Sequence, residues 1–122
     1  MRIAISYALN RGESAPLDVA PLDLAAVGEL NFCEVDLDAY PCLRLARDAA
    51  AAGGTAPCTL NAANEVAVHA FLGGRLGFLD IPEVIERTLS DMGARAVSGF
   101  ESLYEADREA RELAAEVAGA LR

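Results

Sequence analysis

The sequence predicts a mainly α protein: a C-terminal four-helix bundle over residues 38–122, preceded by a short helix, a linker and one orphan β-strand. Three observations carry that prediction. From Asp38 onward, apolar residues recur at steps of three and four, which lines one face of a helix. Glycines, twice as Gly-Gly pairs, interrupt that pattern at helix-length intervals. The hydrophobic content is 53%, yet only 6% of residues are aromatic and Trp is absent, so the core is built from Ala, Leu and Val. Small side chains of this kind suit helices whose axes approach closely.

Arg2 to Asn10 reads as the short helix, stopped by Gly12, Ser14 and Pro16. Glu13 to Gly28 carries Pro16, Pro21 and Gly28 among small apolar residues and reads as a linker with one helical turn. Glu29 to Val35 alternates polar and apolar residues and puts Leu30 and Phe32 on one face, a strand period. Nothing else in the sequence offers that strand a partner, so it would need a sheet supplied from elsewhere.

The first bundle helix follows Asp38, with Pro41 in its first turn, where a missing N–H costs nothing. Leu43, Ala46 and Ala50 give it a small-residue stripe, and Gly53-Gly54 ends it. The second is expected from about Asn61 to Leu72, stopped by Gly73-Gly74, and is apolar enough to be buried. Asp80 is expected to cap the third, with Pro82 in its first turn and Glu83 closing a capping box. Val84, Ile85, Thr88, Leu89 and Met92 form its apolar face, and Gly93 ends it. Ser98-Gly99-Phe100-Glu101 repeats the capping-box spacing before a long last helix. Leu103, Ala106, Ala110, Leu113, Val117 and Ala120 make its apolar stripe, and Glu105, Arg108, Glu109, Arg111 and Glu112 its wet face.

A net charge of −9 repels phosphates and argues against nucleic acid as a partner. No run approaches the ~20 apolar residues that a bilayer span needs, so no membrane partner is expected. The short mixed N-terminal helix is not a signal-peptide core, and a cytoplasmic location is expected. Cys33, Cys42 and Cys58 form neither a CxxC pair nor an even framework, and read as reduced, mostly buried thiols.

The one concentrated polar group in an apolar setting is Asn61, Asn64 and Glu65. Asn61 is placed as an N-cap, Asn64 three positions on as the reciprocal capping residue, and Glu65 in the first turn, where the helix dipole favours negative charge. A functional reading makes Glu65 an acid, a base or a ligand. With no nucleophile or second carboxylate nearby in sequence, the set reads as a structural motif that fixes helix packing, not as a catalytic one. His69, four residues past Glu65, is the only histidine and reads as a packed or partly exposed side chain rather than half of a metal site. Tyr40 and Tyr104 read as core or rim aromatics. The Gly-Gly pairs lack the strand–loop–helix setting of a phosphate cradle.

Tyr40-Pro41-Cys42-Leu43-Arg44-Leu45-Ala46, Gly53-Gly54-Thr55-Ala56-Pro57, Leu60 through Val68, Ala70-Phe71-Leu72 and Asp80-Ile81-Pro82 together resemble the C-terminal part of 1-deoxy-D-xylulose 5-phosphate reductoisomerase. Met1 to Asn10 and Pro21-Leu22-Asp23 resemble the segment before it, the end of the central domain. Ala4 stands where a proline is usual, and Cys33-Glu34-Val35 departs from a Pro-Asp pattern. The resemblance implies two regions: residues 1–37 as the tail of the central catalytic domain plus linker, and 38–122 as the helical domain. It implies a parent that rearranges and reduces 1-deoxy-D-xylulose 5-phosphate to 2-C-methyl-D-erythritol 4-phosphate with NADPH and a divalent metal (Mg, Mn or Co), in non-mevalonate isoprenoid synthesis. It implies a homodimer whose N-terminal and catalytic domains this chain would support. The family's glycine-rich cofactor turn, acidic metal motif and phosphate-holding residues have no counterpart here. No catalytic, cofactor-binding or metal residue is therefore carried over, and the isolated chain is expected to be inactive. The alternative is a free-standing helical interaction module without enzyme activity.

Overall fold

The structure is a computed structural model, and it describes residues 1–121. Its helices are α1 (Arg2–Leu9), α2 (Leu24–Val27), α3 (Pro41–Ala52), α4 (Ala56–Leu72), α5 (Ile81–Met92) and α6 (Phe100–Ala120), with a 3-10 turn at Phe78–Asp80 before α5. No strand occurs among the described residues. The strand expected at Glu29–Val35 is therefore corrected. Its alternation is real, but Leu30 and Phe32 are exposed and no second strand is present to complete a ladder.

The chain divides into two units, Met1–Cys33 and Glu34–Arg122. In the first, α1 and α2 form where the sequence places them. The Asp23 carboxylate caps α2 by accepting from the backbone N–H groups of Ala25 (3.0 Å) and Ala26 (3.1 Å). No residue of Met1–Cys33 is buried, and Ile3, Ile5, Tyr7 and Leu9 of α1 face solvent.

In the second unit, the Asp36 carboxylate gathers the N–H groups of Asp38 (3.0 Å) and Ala39 (2.9 Å) into a turn that delivers Pro41 to the start of α3. Helices successive in the chain alternate in direction. Arg44 of α3 meets Glu86 of α5, and Thr55, just past the end of α3, meets Arg95, just past the end of α5, so these helices run the same way. Cys58 of α4 meets Leu103 of α6 and Glu65 meets Arg111, so that pair also runs in parallel. The central helix is α4, which packs on α3, α5 and α6.

The core is narrower in chemistry than a typical bundle. Leu45, Leu76, Ile81, Val84 and Ile85 supply its larger side chains. Around them lie Ala62, Ala63, Ala67 and Ala70 of α4 and Ala106, Ala110, Ala114 and Ala118 of α6. On α6 the buried positions repeat every fourth residue, an alanine seam against which α4 can pack closely. The apolar stripe expected on α6 is thus partly corrected: Ala106 and Ala110 are buried, Leu103, Leu113 and Val117 flank the seam half-buried, and Ala120 is exposed. On α3 the buried residues are Leu45 and Ala49, while Leu43, Ala46 and Ala50 face solvent.

Three helix starts also differ from expectation. α4 begins at Ala56, with Pro57 in its first turn, and so extends upstream of Asn61. Asp80 does not cap α5 with its side chain; its carboxylate accepts from the Gly77 N–H (3.0 Å) and closes the 3-10 turn instead, while Glu83 pairs along the helix with Arg87. At α6 the capping hydroxyl is that of Ser102, not a side chain of Ser98 or Glu101. It accepts from the N–H groups of Ser98 (3.2 Å) and Gly99 (3.4 Å) and donates to the Gly99 carbonyl (2.7 Å). A cap from inside the first turn leaves no trace in the usual spacing.

The turn from α3 to α4 is tied to the α5–α6 connection. Thr55 N–H donates to the Arg95 carbonyl (2.9 Å), and Arg95 N–H donates to the Thr55 hydroxyl (3.0 Å). Thr55 is buried, so these bonds are shielded from water. The Arg95 guanidinium then reaches Glu109 of α6 (2.7 Å).

Candidate functional site

The polar set singled out in the sequence lies in the middle of α4, not at its start. Asn61 and Glu65 occupy its second and third turns, and Asn61 caps nothing. The N-cap, the capping-box role of Asn64 and the first-turn role of Glu65 are therefore corrected together. The physical reason is Pro57, which begins the helix a turn early.

What the structure builds instead is a link across the α4–α6 seam. The Asn61 side-chain amide donates to one oxygen of Glu65 (3.4 Å). Arg111 Nη2 donates to the other (2.8 Å) and also to one oxygen of Asp107 (3.0 Å), while Arg111 Nε donates to the second Asp107 oxygen (2.7 Å). One arginine thus joins two helices and two carboxylates. Asn64 is half-buried, one step around the helix, and shares in neither bond to Glu65. Arg111 was read in the sequence only as part of a wet helix face. Asp107 has no distinguishing signal beyond sitting four residues before Arg111.

The hydrogen bond and charge of Arg111 hold the Glu65 carboxyl below the ordinary carboxylate range, and the bond from Asn61 adds to this. The two carboxylates in turn hold the Arg111 guanidinium more firmly protonated. These directions suit an ion pair that stays charged, not a group that exchanges protons near neutrality. A carboxyl held low in the folded state stabilises the fold above the unfolded carboxylate's pKa, and that contribution is lost as pH falls through the folded value. Stability should accordingly decline as pH drops below the ordinary carboxylate range, and Glu65→Gln should flatten that decline. Urea melts of both proteins from pH 6 to pH 3 check this, and parallel curves would contradict it. The pair is solvent-accessible, so the effect should be modest and salt-sensitive.

Beside this seam, the Cys58 thiol donates to the Leu103 carbonyl (3.5 Å). Burial, with the Asp107 charge, pushes its pKa up, so it is held as a thiol and not as a nucleophilic thiolate. Cys33, Cys42 and Cys58 are all unpaired, as expected, but Cys33 and Cys42 are exposed, which corrects their expected burial. His69 is exposed on α4. Tyr40 and Tyr104 are also exposed, so they belong to the rim. Among the described residues, no group of three His, Cys, Asp or Glu side chains could hold a metal ion. No helix among them is long and apolar enough to cross a membrane. A groove between α3 and α5 is lined by Leu45, Ala49 and Leu89, together with Asp48, Ser90 and the Arg44–Glu86 pair (3.1 Å).

A family model described as the DXP reductoisomerase C-terminal domain matches residues 1–113. The chain is 52% identical over 116 residues to 1-deoxy-D-xylulose 5-phosphate reductoisomerase from Ectopseudomonas mendocina, covering 95% of this chain and 29% of that protein. It is 51% identical over 116 residues to the reductoisomerase from Methylobacillus flagellatus, again covering 29% of it. A solved Zymomonas mobilis reductoisomerase in complex with NADPH matches 98% of this chain and 32% of its own, with a TM-score of 0.88 at 34% identity. A DOX-P reductoisomerase solved in complex with magnesium matches 97% of this chain with a TM-score of 0.82 at 35% identity. The chain thus spans about 29% of the length of the curated relatives it matches.

Proposed function

The chain belongs to the family of DXP reductoisomerase C-terminal domains, and on that premise we propose that it is the supporting helical portion of a 1-deoxy-D-xylulose 5-phosphate reductoisomerase. The enzyme's overall reaction is the NADPH-dependent rearrangement and reduction of 1-deoxy-D-xylulose 5-phosphate to 2-C-methyl-D-erythritol 4-phosphate. In this reading residues 1–37 are the end of the catalytic domain with its linker, and 38–122 are the bundle. The parent is a cytoplasmic homodimer in the same reading, and the bundle's partners are the enzyme's N-terminal and catalytic domains.

The observation that carries the proposal is the chemistry of the polar groups. In the seam of Glu65, Arg111 and Asp107, the carboxylates are engaged by the guanidinium and held ionised. Such groups lock α4 to α6; they do not present a base, an acid or a nucleophile to a substrate. NADPH and magnesium are bound by solved relatives. The donor set described here fits neither group, so no step of the reaction is routed through it. The apolar surface of α1 supports the same reading, since Ile3, Ile5, Tyr7 and Leu9 find no cover in their own unit and would be buried by the rest of a catalytic domain.

The purified chain, given NADPH, 1-deoxy-D-xylulose 5-phosphate and Mg²⁺, is expected to oxidise no NADPH above the rate of a blank. Turnover that copurifies with the chain would sink the proposal.

A further inference from the structure

We draw no further inference here: the strongest candidate, the exposed apolar patch of Phe71, Leu72, Phe78 and Leu79 where the end of α4 meets the 3-10 turn before α5, carries nothing because nothing in the structure shows what covers it.

Discussion

Replacing Gly54 by alanine should destabilise the bundle by about 3 kcal/mol, a large share of the roughly 5–15 kcal/mol available to a domain of this size. Two costs add. Gly54 has φ of +55°, in the left-handed region, where a Cβ costs roughly 1–2 kcal/mol. A Cβ there would also overlap the Arg95 carbonyl oxygen, which is backbone and has no rotamer to change. That oxygen accepts from Thr55 N–H, and Arg95 N–H donates to the buried Thr55 hydroxyl. Moving Arg95 aside weakens both bonds, at about 1 kcal/mol each. Gly53 provides the contrast. Its φ is +67°, but nothing lies within 4 Å of an added Cβ, so Gly53→Ala should cost only the conformational part. Urea denaturation of the two variants separates the effects. Equal losses would show that the approach of Arg95 contributes nothing.

Ala114→Leu should cost a similar amount for a different reason. Ala114 is fully buried in the alanine seam of α6, in one cluster with Ala63 and Ala67 of α4. Leucine adds three carbons where the helices leave no room, and overpacking of this kind costs about 1–3 kcal/mol. The upper end applies because the seam is backed by the Glu65–Arg111–Asp107 link, which must stretch if the helices move apart. Ala115→Leu, one step around the same helix, is exposed and should change stability by no more than about 0.5 kcal/mol. Leucine and alanine have similar helix propensity, so the difference between these variants reads packing alone. Thermal melts followed by helicity suffice, and matching midpoints for the two variants would contradict a close-packed seam.

These two sites also show what the sequence made legible. The Gly-Gly break after α3 was visible as a helix stop, but the choice between Gly53 and Gly54 was not. It depends on Arg95, forty-one residues beyond Gly54, and a contact at that range leaves no local pattern. The bundle helices were legible from periodicity and punctuation, and the boundary at Gly93 held because a helix-ending glycine in the left-handed region acts locally. The start of α4 was not legible as read. Asn61 looked like a cap because asparagine favours that position, whereas Pro57 at the first turn was the stronger signal. The seam on α6 was seen only as alternating steps of three and four. The structure selects the strict fourfold set through Ala114 and Ala118, because α4 needs a shallow, straight groove. Of the polar set, Glu65 belongs to the link and Asn64 does not, and the residue that organises it, Arg111, lies forty-six positions away. The strand at Glu29–Val35 failed for the same kind of reason: a two-residue period states a preference, and only a partner strand converts it into a ladder.

The most direct test of the account is to join this chain to the upstream part of the Ectopseudomonas mendocina reductoisomerase and assay NADPH oxidation with 1-deoxy-D-xylulose 5-phosphate and Mg²⁺. The account predicts turnover by the joined protein and none by the 122-residue chain alone. Turnover by the chain alone, or a folded chimera that never turns over, would contradict it.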